Sequence, residues 1–228
     1  MFALSKLAER EDGHYNSLTS VQFWRATPRQ DEYFAAQRKC QNNAVLQMMD
    51  AAVADAHATS RPVLVNANPK TEKEARVTFF AFSDEARQRQ QPPAGDSNSL
   101  VAIQCFPRMP KCYGWLKFNA HEFGKMPKHI QPQPTKIDGR TYSFSEGRDG
   151  EYIAIVYEYI EDGETDTAVV DDVAEFLWLA GFCFCATPLA RNWRSGVLVD
   201  LSDIVHAGAF GWSRPIYRKR TARTILAT

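Results

Sequence analysis

The chain has 228 residues, 44% hydrophobic, 24% charged and 12% aromatic, which fits a folded globular domain and excludes a disordered chain. Its 27 Lys and Arg balance 27 Asp and Glu, so no global field draws it to nucleic acid or to an anionic membrane. The opening "MFALSKLAEREDGHY" lacks an apolar run of the secretory type, and the longest such run, residues 176–186, falls short of the ~20 residues that span a bilayer.

In chain order, "TPRQDEYF" carries the first strong signal. Thr27 can cap a helix, Pro28 suits its first position and Gln30 can close a capping box. Val45, Met49, Ala52 and Ala56 recur at three- and four-residue steps, with Cys40, Ala44 and Met48 beside them, which predicts a long amphipathic helix to about His57. "RPVLVNANPK" reads as a short buried strand ended by an Asn-Pro turn, "TEKEAR" as a short helix, and "VTFFAF" as another strand. The polar, Pro- and Gly-bearing residues 86–99 predict a surface loop or a disordered insertion.

"LVAIQCF" and "KCYGWLKF" follow as strands, and residues 119–150 as a long connection of the kind that forms a lid or a disordered segment. "EYIAIVYEYI" is a strand buried on both faces, expected to pair with "CYGWLKF". "DTAVVDDVAEFLWLAG" is a helix with Val169, Val173, Phe176, Leu177 and Ala180 on one face and Gly181 to stop it. Residues 214–228, with "RPIYRKRTAR", read as a solvated basic tail in preference to a phosphate-binding patch, since no aromatic platform is interleaved at regular spacing. The order predicts the α+β class: a single domain over residues 1–228, its mixed sheet packed by the long N-terminal helix and a second central helix.

Five cysteines, an odd number set mostly among apolar neighbours, imply free buried thiols in a reducing compartment, hence a cytoplasmic location. Cys183 and Cys185 have no second Cys/His pair at zinc spacing, and His121 and His129 lack the helical spacing of a zinc protease. No Gly-rich phosphate loop and no G-x-S-x-G elbow occurs, so neither a metal nor a cofactor is expected.

The stretch "ARNWRSGVLVDLSDI" (190–204) carries the chemistry. An Asn precedes a tight turn, an apolar strand follows, and Asp200 and Asp203 stand at that strand's end. Together with "KCYGWLKF", "YIAIVYEYI" and "VVDDVAEFLWLAGF", it resembles the middle of a protein-kinase-like fold, over about residues 112–203. More closely, it resembles a group of uncharacterised fungal proteins with kinase-like remnants. The resemblance implies that Asn192 corresponds to the catalytic-loop Asn and Asp200 to the metal-holding Asp, in a reduced kinase-like architecture.

The departures remove kinase activity from the expectation. The position of the catalytic base, five residues before the Asn, is Thr187, and no Gly-rich loop or phosphate-binding Lys precedes the long helix. Two functions remain. One is a cofactor-independent cyclase or isomerase of secondary metabolism acting on an apolar small molecule, with Asn192, Asp200 and His206 as catalytic candidates. Tyr113, Trp115, Tyr157, Trp193 and Trp212 are then the candidate pocket walls. The other is an inactive pseudokinase-like scaffold that binds a protein partner.

Overall fold

The computed structural model describes residues 2–11, 14–25, 35–88, 99–128, 131, 134–137, 140–142, 151–185 and 190–227. Strands β1 (Phe2–Glu11) and β2 (His14–Arg25) precede helix α1 (Ala35–Thr59), followed by β3 (Val63–Asn66), α2 (Glu72–Phe80), α3 (Asp84–Gln88) and β4 (Leu100–Ile103). Then come β5 (Cys112–Asn119), a 3-10 turn (Ala120–Lys125), β6 (Thr135–Ile137), β7 (Arg140–Tyr142) and β8 (Glu151–Glu158). The chain continues through α4 (Thr167–Leu179), β9 (Phe182–Phe184), β10 (Trp193–Arg194), β11 (Val197–Leu198), β12 (Ile204–His206) and α5 (Ala222–Ile225). The class is α+β, and it divides into two compact units, Met1–Gln37 with Pro110–Asp162, and Arg38–Met109 with Gly163–Thr228.

In the first unit a four-stranded sheet runs in the order β1-β2-β8-β5. All the described strand pairs of the chain are antiparallel, so the expected mixed sheet is corrected: the strands meet through hairpins and returns, not through the long crossovers that parallel pairing needs. β8 pairs with β5 as expected, Leu116 opposite Ala154 and Phe118 opposite Tyr152. It is buried on both faces: Tyr152 and Ala154 point to one side, Ile155 and Tyr157 to the other.

Phe123 in the 3-10 turn packs on Phe118 and Tyr152, ring centroids 4.9 and 5.0 Å away. The start of the expected 119–150 lid is therefore part of a core, because Phe123 finds an apolar wall on the adjacent sheet. Further along, β6 and β7 form a hairpin. Most of the 86–99 loop and the Thr27 capping box lie outside the described residues.

In the second unit, β3 pairs with β4, β9 with β12 and β10 with β11. The "VTFF" run, expected as a strand, is the second half of α2. Thr71 and Glu74 form a capping box, and Thr78 turns its hydroxyl back onto the carbonyls of Glu74 and Ala75. The nucleated helix thus overrides the β preference of Val and Phe.

α4 starts at the N-cap Asp166, whose carboxylate accepts from the Ala168 amide at 2.8 Å. Its buried face is Val170, Val173, Ala174, Phe176 and Leu177; Val169 is exposed, one position off the expected stripe. Gly181, at φ +85°, ends the helix, and a Cβ there would stand 2.5 Å from the Ala75 carbonyl oxygen. Only glycine permits that approach of α4 to α2.

Residues 214–227 are not a loose tail. Tyr217, Ala222 and Ile225 are buried, the Tyr217 hydroxyl donates to the Trp178 carbonyl at 2.8 Å, and the Ala222 amide donates to Asp171 at 2.6 Å. Apolar side chains spaced through the basic run anchor it. Among the described residues no helix is long and apolar enough to cross a membrane.

Candidate functional site

The apolar stripe of α1 (Met49, Ala52, Ala56) continues toward the helix start through polar residues. Stepping back by three or four residues leads to Asn42 and Arg38, and Lys39 stands beside them. All three are buried, Lys39 completely. Helix geometry thus aims a cation, a guanidinium and an amide at one place.

They meet the segment after β11. Asp200 caps the 3-10 turn Leu201–Asp203, its Oδ1 accepting from the Ser202 amide at 3.1 Å and the Ser202 hydroxyl at 2.6 Å. The same oxygen receives Lys39 Nζ at 2.8 Å, in an ion pair with both side chains nearly inaccessible to water. Asn42 Nδ2 donates to the carbonyls of Leu201 and Ile204, each at 2.7 Å. Arg38 donates to Cys185 Sγ at 2.7 Å and to the carbonyls of Ser202 and Phe210 at 3.5 and 3.1 Å. On the far side, β10 and β11 fold around Ser195 and Gly196, both at positive φ, a backbone suited to a two-residue hairpin turn. That hairpin holds Asn192, whose amide donates to Asp203 Oδ2.

The electrostatics follow from this packing. Burial opposes ionisation of Asp200, but the Lys39 charge and the bonds from Lys39 and Ser202 outweigh it, holding the carboxyl below its usual range. Burial lowers the Lys39 pKa while Asp200 resists the loss of its proton. Among the described residues no cation is paired with Asp203: burial, then the Asp200 charge, push it up to about 6, against the Asn192 bond and the more distant Lys39 and Arg191. One carboxylate is fixed in its charged form, and its neighbour can gain or lose a proton near neutrality.

Cys183 is pushed up to about 12 by burial, and Cys185 is raised by burial despite Arg38. Neither is a nucleophile at neutral pH. All five cysteines are free, as expected, but only Cys183 is buried; Cys105 is exposed and Cys40, Cys112 and Cys185 are half-buried. Among the described residues no group of three or more His, Cys, Asp and Glu side chains could hold a metal ion.

The sequence candidates are thus redistributed. Asn192 lies against Asp203, and Asp200 is taken by Lys39 and Ser202. His206, on β12, stacks on Phe79 with ring centroids 4.8 Å apart and packs edge-on against Phe182; burial lowers its pKa. It belongs to an aromatic cluster.

Tyr113, Trp115 and Tyr157 are in the first unit, where Tyr113 and Trp115 are exposed on the edge strand β5 and Tyr157 is core. Trp193 and Trp212 are in the second unit: Trp193 is buried, and Trp212 donates to the Gly181 carbonyl and tilts against Tyr217. Each ring thus has its own setting within its unit. Comparison with protein-family models, with curated proteins and with solved structures gives no match for this chain.

Proposed function

We propose that this chain is a catalytically silent, kinase-like module that acts by binding a protein partner. One observation carries the reading: the polar groups at the kinase-like centre are bonded to one another. Lys39 and Ser202 hold Asp200, and Asn192 holds Asp203. Phosphoryl transfer needs carboxylates turned toward metal and phosphate, with a base beside the acceptor hydroxyl. Here the first carboxylate is neutralised from α1, and the residue that the resemblance sets at the base's place in the sequence is Thr187, no base at neutral pH. A cofactor-free cyclase fits less well, since Asn192 and Asp200 point inward at chain partners and His206 is stacked between rings.

A calorimetric titration of the full chain with ATP, in magnesium and then in manganese, tests the reading. The expected result is no heat of binding up to millimolar nucleotide. Saturable micromolar binding would contradict it.

A further inference from the structure

From Ile204 to Thr228 the chain carries Arg214, Arg218, Lys219, Arg220 and Arg223 and not one acid. Lys219 is paired with Glu175 of α4 at 2.7 Å. Arg214, Arg218, Arg220 and Arg223 make no ion pair and no side-chain hydrogen bond with any described residue. Arg220 is half-buried, and its Nε is shut away from water without an acceptor. The terminal nitrogens of that guanidinium are not closed off in this way, and it is their donors that an arriving anion takes up. The setting is rigid, because Tyr217, Ala222 and Ile225 anchor the segment on either side.

We propose that Arg218 and Arg220 form a docking site for one phosphorylated side chain on an extended segment of a partner protein. The proposal rests on the binding-module reading above and names the partner's chemistry. Two guanidinium groups match the nearly double charge of a phosphomonoester, and their planar forks suit its oxygens. A carboxylate brings one charge and is the weaker ligand.

A bilayer or a nucleic acid fits less well. Asp171 and Glu175 of α4 touch this segment at Ala222 and Lys219, so a broad anionic surface would meet carboxylates beside the arginines. A single slender anion avoids them and reaches the recessed Arg220. The two arginines also crowd each other: burial, then the Arg218 charge, lowers the Arg220 pKa.

Fluorescence anisotropy on the full chain, with a labelled peptide library carrying one fixed central phosphoserine and its unphosphorylated counterpart, tests this. The phosphorylated library is expected to bind about tenfold tighter or better, a preference that salt weakens and that Arg218→Gln/Arg220→Gln erases. Arg76→Gln, at an exposed arginine paired with Glu72 on α2, keeps the preference. The double variant melts no lower than the wild type, whereas arginines with only a structural role would lower the melting temperature on removal. Equal affinity for the two libraries, absence of binding, a preference that survives the double variant, or capture by phosphatidylserine vesicles in place of the peptide would each overturn the site. These outcomes are separate from the nucleotide titration: a chain that binds ATP loses the silent-module reading, and one that ignores phosphoserine loses only this site.

Discussion

Replacing Lys39 with Met is expected to destabilise the second unit by about 3–5 kcal/mol, because it leaves the Asp200 carboxylate buried without its cation. Met fills much the same volume, so the loss reports charge more than packing. Asp200 would keep its two bonds from Ser202, which are too few to replace an ammonium at 2.8 Å. The expected response is partial: the orphaned carboxyl takes up a proton, and stability becomes steeply dependent on pH.

Adding Asp200→Asn to Lys39→Met removes both charges, and an Asn oxygen still accepts from Ser202. The double variant should therefore recover most of the loss, ending within about 1–2 kcal/mol of the wild type. Urea denaturation at unchanged slope is the measurement. A Lys39→Met variant as stable as the wild type would mean that water reaches Asp200.

The second large effect concerns Asp203. Its folded pKa, about 6, lies above the roughly 3.9 of an unfolded Asp. The folded state thus holds the proton more tightly. The stabilisation is fully present below about pH 4 and is lost as the pH rises through about 6. Asp203→Asn fixes the neutral form and can still accept from Asn192. It should be more stable than the wild type by about 2 kcal/mol near pH 8, allowing for solvent screening at this partly exposed group, and equal to it near pH 4.

Two neighbours act in the opposite sense. Asp200, held below its usual range, contributes stability above about pH 4 that is lost as the pH falls through its folded value. His206, its pKa lowered by burial, contributes stability above the unfolded His value that is lost on acidification. The difference between wild type and Asp203→Asn cancels both. Melting temperatures of the two proteins across that range check it, and parallel curves would show that Asp203 is already solvated.

How much of this was legible in the sequence differs from element to element. β8, β5 and α4 were readable because their patterns are local: an apolar run, a ring-rich run, and a 3.6-residue stripe closed by Gly181. The "VTFF" segment was misread because local β preference gave no weight to the Thr71–Glu74 box upstream. The hairpin of β1 and β2 was missed, although Asp12-Gly13 stands between two runs of mixed alternation, a strong hairpin signal.

At the candidate site the sequence pointed to Asn192 and Asp200, and the structure gives them different partners, Asp203 for the first and Lys39 with Ser202 for the second. The sequence held no hint of Lys39, because the bonds between α1 and the Asp200 segment join residues as much as 159–164 positions apart. One trace was present. Asn42 and Arg38 interrupt the apolar stripe of α1 on its buried side, and polar residues in that register require partners elsewhere in the chain. The basic C-terminal run was read as solvated because Tyr217, Ala222 and Ile225 follow no regular period, yet they pin it down.

Under the proposed reading, the polar cluster of Lys39, Asn192, Asp200, Ser202 and Asp203 satisfies itself and is closed to metal and nucleotide. Titration of the full chain into manganese, followed by the paramagnetic resonance signal of the free ion with and without ATP, tests it most directly. The expected free-ion signal matches buffer alone, or ATP alone, at every protein concentration. A stoichiometric loss of signal that Asp200→Asn or Asp203→Asn abolishes would contradict it, since that carboxylate would then be turned to a metal and not to Lys39 or Asn192.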